Sequence, residues 1–209
     1  MKALSYTEGR SLIKDGDVLL FRGKGWISRI IGGITGSPYT HVGLANWVNN
    51  VHLECIHIRE FKGGVASNLS ILAKNFDCQI DVYRAIPHFT EMTFNMETKE
   101  VIITRKDFDG SKVADTFRGL LGQPYNYRYI WNIFKYNMMG LRIFYNKNKT
   151  MENGEETLVP YHICSSGVAH AFSKNGYDLV YNRGDAYNNP GDLARSPRLN
   201  YLFTLCEPE

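Results

Sequence analysis

The segment at residues 162–166 carries Cys164, the residue type best suited to nucleophilic chemistry in this chain. Apolar spacing over residues 161–174 predicts an amphipathic helix that opens at Cys164. The free N–H groups and the positive dipole end of a helix start favour thiolate over thiol. We therefore expect a lowered pKa for Cys164 and half of an oxyanion hole beside it. The alternative is a structural cysteine buried at the head of a core helix.

A general base for this thiol is suggested by His41, which opens a predicted strand, because imidazole can take a thiol proton and later return it. Glu54 lies between Leu53 and Cys55 on the next strand, where an unpaired carboxylate is costly. Pairing Glu54 with His41 would orient the imidazole.

The register of the two strands leaves the third member of this group open. His41 faces Glu54 directly only if the hairpin centres between residues 47 and 48, whereas a turn at residues 49–50 would centre it two residues later. His52 and Asn46 are therefore the alternatives to Glu54. Tyr39, Tyr125 and Ser165 are the candidate substrate or oxyanion contacts.

The elements that would hold these side chains form an α+β pattern, a small antiparallel sheet packed on a helical layer. Strands are predicted at five places and helices at four, with a hairpin over residues 92–106. The strands cover residues 18–21, 40–47, 51–61 and 79–85, and a last one covers residues 201–205. The helices cover residues 26–36, 69–75, 110–121 and 161–174.

The composition excludes several classes of function. The chain has 209 residues, 44% of them hydrophobic, and a formal net charge of +3, without the basic stripe of a nucleic-acid binder. It has no apolar run long enough for a transmembrane helix and no signal-peptide segment at its start. We expect a cytoplasmic protein of one domain over residues 1–209, with phage delivery or another non-classical route as the alternative.

The four cysteines, Cys55, Cys78, Cys164 and Cys206, are widely spaced, which indicates reduced thiols. The histidines and cysteine at residues 41–57 lack the usual zinc-ligand spacing. We therefore expect no metal and no other cofactor.

Several segments, taken in order, resemble the circularly permuted branch of the NlpC-type papain-like superfamily, especially its YiiX/YaeF-like members. The opening strand at 16–21, the tyrosine-threonine-histidine-valine-glycine strand at 39–43 and the acidic strand at 53–55 match first. The turn at 122–127, the nucleophile helix at 164–168 and the proline-aspartate-leucine loop at 189–194 follow. Thr40 replaces the common serine and Asn126 the usual acid. Residues 89–109 and 146–156 match nothing and are interpreted as insertions.

The resemblance implies a permuted papain-like fold with a triad of Cys164, His41 and Glu54. It also implies a cysteine amidase or peptidase acting through a thioester on a small peptide, amide or lipid-linked substrate, peptidoglycan-type peptides among them. The alternatives are a lipid-directed thiol acyltransferase and a non-catalytic binding module. The aromatic stretch at 129–139 is the feature that suggests lipid, although a core-facing helix beside the active site is the favoured interpretation. The oligomeric state is not predicted.

Overall fold

The computed structural model describes residues 2–23, 36–75, 79–126, 162–180, 185 and 188–206. The helix predicted over residues 26–36, except its last residue, the aromatic stretch at 129–139, the insertion at 146–156 and Cys78 lie outside these residues. No helix in the described ranges is long and apolar enough to cross a membrane.

The elements follow one another as nine strands and five α-helices within the described residues. In chain order they are β1 (Ala3–Leu4), α1 (Tyr6–Gly9), a 3-10 turn (Arg10–Leu12), β2 (Val18–Arg22), β3 (His41–Val48), β4 (His52–Arg59), β5 (Gly63–Asn68), α2 (Leu69–Asn75), β6 (Gln79–Ala85), β7 (His88–Asn95), β8 (Glu100–Asp107), α3 (Gly110–Arg118), α4 (Cys164–Lys174), α5 (Pro190–Ala194) and β9 (Leu199–Leu205).

Seven of these strands form one sheet in the order β1-β9-β6-β2-β3-β4-β5. The pairings are antiparallel except that of β1 with β9, so the sheet is mixed and larger than the sequence indicates. The predicted α+β class is confirmed. The prediction of a small, purely antiparallel sheet was wrong, because the sheet has seven strands and one parallel pairing. The pattern missed β1 and β5 because one is very short and the other opens with Gly63 and Gly64 and lacks a run of large apolar residues.

Two apolar layers cover the two faces of the sheet. On one face Val42, Leu44 and Ile56 of the central strands belong to the same core cluster as Phe117 of α3 and Phe172 of α4. The other face buries a second cluster, which includes Leu19, Leu53 and Cys55 on the strands and Leu72 on α2. Alternating residues of β3 and β4 therefore face different surroundings, which decides which side chains can meet.

The insertion predicted over residues 89–109 forms the separate hairpin of β7 and β8. Met92 pairs with Ile103 and Phe94 with Val101, and all four side chains are exposed. The hairpin is thus separate from the main sheet.

Candidate active site

Cys164 lies at the first position of α4, as the sequence predicts, and is 7% exposed. The turn before it is held by Ser166, whose hydroxyl accepts a hydrogen bond from the Ile163 N–H at 2.9 Å and donates one to the Ile163 carbonyl at 3.2 Å. Gly167 keeps this turn close to its neighbours, because a Cβ there would lie 2.7 Å from Ile58 and 2.8 Å from Phe117. The helix start is therefore packed onto β4 and α3.

The sulfur of Cys164 lies against the beginning of β3. The pairing of β3 with β4 ends at Gly43 and His57, which leaves the Val42 N–H outside that ladder. This N–H and those of Ser165 and Cys164 itself are close enough to the sulfur to lower the pKa of the thiol. Val42 directly follows His41, so both residues lie at the start of β3, where the side chains of successive residues point to opposite faces of the sheet.

The pKa of the Cys164 thiol is nevertheless raised, to about 11. Burial is the largest cause, because it penalises the charged thiolate, and the nearby negative charge of Glu60 acts in the same direction. The three N–H groups lower the pKa but do not outweigh the burial. The prediction of a lowered pKa was wrong. It considered the effect of the helix start on the Cys164 thiol but not the penalty that burial places on the charged thiolate.

The imidazole of His41 is oriented by a second histidine. Its Nε2 lies 2.9 Å from Nδ1 of His57, and the two rings meet nearly edge to face. Gly43 leaves room for this contact, because a Cβ there would lie 3.0 Å from the His57 Cβ and 2.5 Å from the Cys55 sulfur. Burial, followed by the charge of Arg59, lowers the pKa of His41 to about 4. The ring is therefore neutral at physiological pH.

His57 continues this contact to Ser67 on β5, whose hydroxyl lies 2.9 Å from the His57 Nε2. Burial lowers the pKa of His57 to about 2, helped by the neighbouring charges of His41 and Arg59. If His57 donates from Nε2 to Ser67, its Nδ1 must accept, so Nε2 of His41 donates. Nδ1 of His41 then carries the lone pair, as a base for the thiol requires.

Within the described residues, the side chains of His41 and Cys164 make no hydrogen bond to each other. The connection between them runs through the backbone of Val42. A thiol and an imidazole that are both neutral have little electrostatic reason to pair at rest. In this arrangement the two side chains are therefore not paired.

Glu54 occupies a different place from the one the sequence suggests. The loop after β3 contains Asn49 and Asn50 with φ of +52° and +56°, so that Val48 pairs with His52 and Glu54 with Asn46. The Glu54 carboxylate accepts a hydrogen bond from Arg118 at 2.6 Å.

Glu54 also has the strand parity of Ile56, on the face that packs on α3 and α4. His41 shares the parity of Gly43 and points to the other face, where His57 lies. Of the three residues considered from the sequence, Glu54, His52 and Asn46, none is hydrogen-bonded to His41 in the described part of the chain.

The candidate oxyanion contacts are engaged elsewhere. Tyr39 donates its hydroxyl hydrogen to Asp81 at 2.5 Å and lies 3.1 Å from the Tyr83 hydroxyl. Ser165 donates to the carbonyl of Asn188 at 2.5 Å. Tyr125 is half-buried against the core cluster under α4. The hydroxyl groups of Tyr39 and Ser165 are thus already donated to other acceptors.

Sequence reasoning missed His57. Its signal was present: the alternation Leu53, Cys55, His57 runs along one face of β4, and that face is buried at its first two positions. A histidine that continues a buried face needs a polar partner. The choice of His41 as that partner required the register, which the sequence left open.

Comparison with known proteins supports the fold. No protein-family model and no curated protein matches the chain. Among solved structures, the metalloprotein YiiX of Escherichia coli O157:H7 matches with a TM-score of 0.57 over 91% of this chain and 96% of that one, at 14% identity. The chain has the YiiX fold. The resemblance to the YiiX/YaeF-like branch is therefore confirmed for the fold, while the activity is a separate question.

YiiX is described as a metalloprotein, so we asked whether the residues here fit a metal ion. In the parts of the chain that the structure describes, no three or more histidine, cysteine, aspartate or glutamate side chains are grouped to hold one. His41 and His57 instead direct ring nitrogens at each other, 2.9 Å apart. Their donors therefore do not converge on a common point, as metal ligands do.

Proposed function

We propose that the protein is a cysteine hydrolase that cleaves an amide or ester bond through a thioester on Cys164, with His41 as the base and His57 as its positioning residue. The observations that support the proposal are the Cys164 thiol at the start of α4, close to the backbone of Val42, and the preceding His41, whose Nε2 lies 2.9 Å from Nδ1 of His57. They support a nucleophile, a base and a positioning group at one end of β3. The reaction requires the His41 ring, at the start of β3, to turn toward the sulfur.

The reaction follows from the protonation states. Nδ1 of His41 takes the thiol proton while the sulfur attacks the substrate carbonyl, and N–H groups at the start of α4 donate to the oxyanion. The C–N or C–O bond breaks, the leaving group takes the proton from His41, and a thioester remains. Water then attacks the thioester, gives a proton to His41, and the carboxylic acid leaves as the thiol re-forms. The candidate substrates are small peptides, amides and lipid-linked amides, peptidoglycan-type peptides among them.

The two candidates for the positioning residue are separated by a matched pair of substitutions. His57→Gln removes an Nδ1 acceptor 2.9 Å from His41 and should lower kcat about tenfold to a hundredfold. Glu54→Gln disturbs an ion pair with Arg118 that is 27% and 36% exposed, so kcat should change less than about twofold. Hydrolysis of p-nitrophenyl acetate, followed across pH, measures both. A large loss of kcat in Glu54→Gln with none in His57→Gln would indicate that Glu54, and not His57, positions the imidazole of His41.

The pH dependence distinguishes a neutral thiol–imidazole pair from a pre-formed ion pair. Because the pKa of His41 is lowered to about 4, the base is unprotonated from about pH 5 upward, so kcat/KM should fall only as the pH drops through 4. Because the pKa of Cys164 is raised to about 11, labelling by iodoacetamide should climb with pH toward that value. Labelling that is constant between about pH 5 and 8 would instead indicate a stable thiolate.

One observation favours a second candidate, a non-catalytic module that keeps the fold. The buried Cys164 thiol with a raised pKa, and without a described hydrogen bond to His41, also fits a structural cysteine. Mass spectrometry after incubation with p-nitrophenyl acetate separates the two. An acetyl group on Cys164 that is lost with time supports the hydrolase, and a persistently unmodified Cys164 supports the module. The acyltransferase alternative has no described residue in its favour.

A further inference from the structure

The β7–β8 hairpin presents a contiguous apolar surface to solvent. Residues that pair directly in an antiparallel ladder share one face of the sheet, so Met92, Phe94, Val101 and Ile103 lie side by side. We call these four residues the apolar hairpin face. Met96 adds apolar surface in the turn at the tip, and the five residues are 54% to 72% exposed. A contiguous apolar surface of this size marks an interaction site.

The opposite face of the hairpin is the one that contacts the body of the protein. Phe89 pairs with Lys106 on that face, at the base of the hairpin. The Phe89 ring meets Tyr177 edge to face with 4.8 Å between the centroids, and the Arg198 guanidinium lies over it at 3.7 Å. Because successive residues of a strand point to opposite sides, the apolar hairpin face is turned away from the elements on which Phe89 packs.

The area of the apolar hairpin face fits a second copy of the same face. At the observed exposures the four residues and Met96 present on the order of 500 Å² of surface per chain. Two such faces in contact bury on the order of 1,000 Å² in total, which is the lower end for a specific interface. A patch that packs on its own copy about a two-fold axis is also the commonest basis of an oligomer.

The charges of the hairpin favour the same partner. Residues 88–107 contain four acidic and three basic side chains, which is close to neutral. This balance lacks the basic excess that draws an apolar surface to an anionic membrane. Lys99 lies in the turn at the tip and Asp107 at the base, so two hairpins that pack in opposite directions bring these opposite charges near each other at both ends.

We propose that the apolar hairpin face is the contact surface of a homodimer, in which the hairpins of two copies pack face to face and in opposite directions, with the two-fold axis near the Met92–Ile103 pair. The dimer is weak and depends on protein concentration, because the buried area is at the lower end for specific complexes. The inference is independent of the proposed function, since it involves neither Cys164 nor His41.

Sedimentation velocity of the full chain tests the homodimer, and two neighbouring isoleucines provide a matched pair of variants. The native protein should pass from monomer to dimer with a Kd on the order of 10 µM. Ile103→Glu should raise the Kd at least about a hundredfold, because it places a charge at the centre of the contact. Ile102, which is 46% exposed, lies on the opposite face of the same strand. Ile102→Glu should therefore change the Kd less than about threefold.

A third variant removes apolar area without adding a charge. Phe94→Ala should raise the Kd about tenfold, because an aromatic side chain is lost from the contact. The melting temperature of the isolated monomer should stay within a few degrees of the native value in all three variants, since each replaced side chain is exposed.

Two results of the sedimentation experiment would overturn the homodimer. One is a native protein that stays monomeric at about 200 µM, and the other is a dimer that Ile102→Glu weakens as much as Ile103→Glu. Flotation of a monomeric native protein with vesicles of phosphatidylcholine and phosphatidylserine, lost in Ile103→Glu, would overturn it as well and assign the face to a membrane. Acetylation of Cys164 by p-nitrophenyl acetate should be the same in native protein and Ile103→Glu, so the proposed function is tested separately.

Discussion

Cys164→Ala is expected to reduce the hydrolysis of p-nitrophenyl acetate at least about a thousandfold, because it removes the atom that forms the thioester. The structural cost should be small, since alanine fits a helix start and removes only a sulfur from a site that is 7% exposed. The thermal midpoint should therefore stay within a few degrees of the native value. This is the largest effect on activity that the site predicts.

The control for this experiment is Cys206→Ala. Cys206 lies just after β9 and is more exposed than Cys164, so it is the thiol most able to react with the ester outside an active site. Its substitution should leave turnover within about twofold. Turnover that survives in Cys164→Ala and disappears in Cys206→Ala would show that the measured hydrolysis is surface chemistry.

Asp81→Ala is expected to destabilise the fold by about 3–5 kcal/mol, the largest effect on stability that the structure predicts. The Asp81 carboxylate is fully buried on β6 and forms an ion pair with Arg22 on β2. It also accepts hydrogen bonds from Tyr39 at 2.5 Å and from Thr204 at 2.6 Å. Its removal leaves these donors without their acceptor in a region that water reaches poorly.

Urea denaturation at neutral pH measures this loss, with Asp107→Ala as the matched control. Asp107 pairs with Arg105 at 2.9 Å on the hairpin, but their side chains are 69% and 64% exposed. A pair so accessible to solvent should contribute less than about 1 kcal/mol. A similarly small loss in the two variants would mean that water or neighbouring acceptors replace the buried carboxylate.

The sequence predicted the elements of the site well. Strict alternation indicated β4 and β6, the short apolar run indicated β2, and the apolar spacing placed the start of α4 at Cys164. These predictions succeeded because the pattern of buried residues follows directly from local backbone geometry. Strands with few large apolar residues, such as β5, gave no such signal.

The sequence did not determine which side chain lies within hydrogen-bond distance of His41. It depends on a three-residue loop at residues 49–51, in which two asparagines adopt a positive φ, and a register shift changes every facing pair. Alternation along a strand shows which residues share a face, but not which residue of the neighbouring strand lies opposite. Glu54 was therefore a reasonable candidate that the pairing placed beside Asn46 and Arg118.

The sequence by itself determined the residue types, the strand faces and the position of the thiol at a helix start, because each depends on neighbours along the chain. Only the tertiary structure decided that His57 meets His41, that Glu54 pairs with Arg118, and that the pKa of Cys164 is raised to about 11. These properties depend on distances between strands and on exclusion of water by packed layers. Both arise only when distant segments come together.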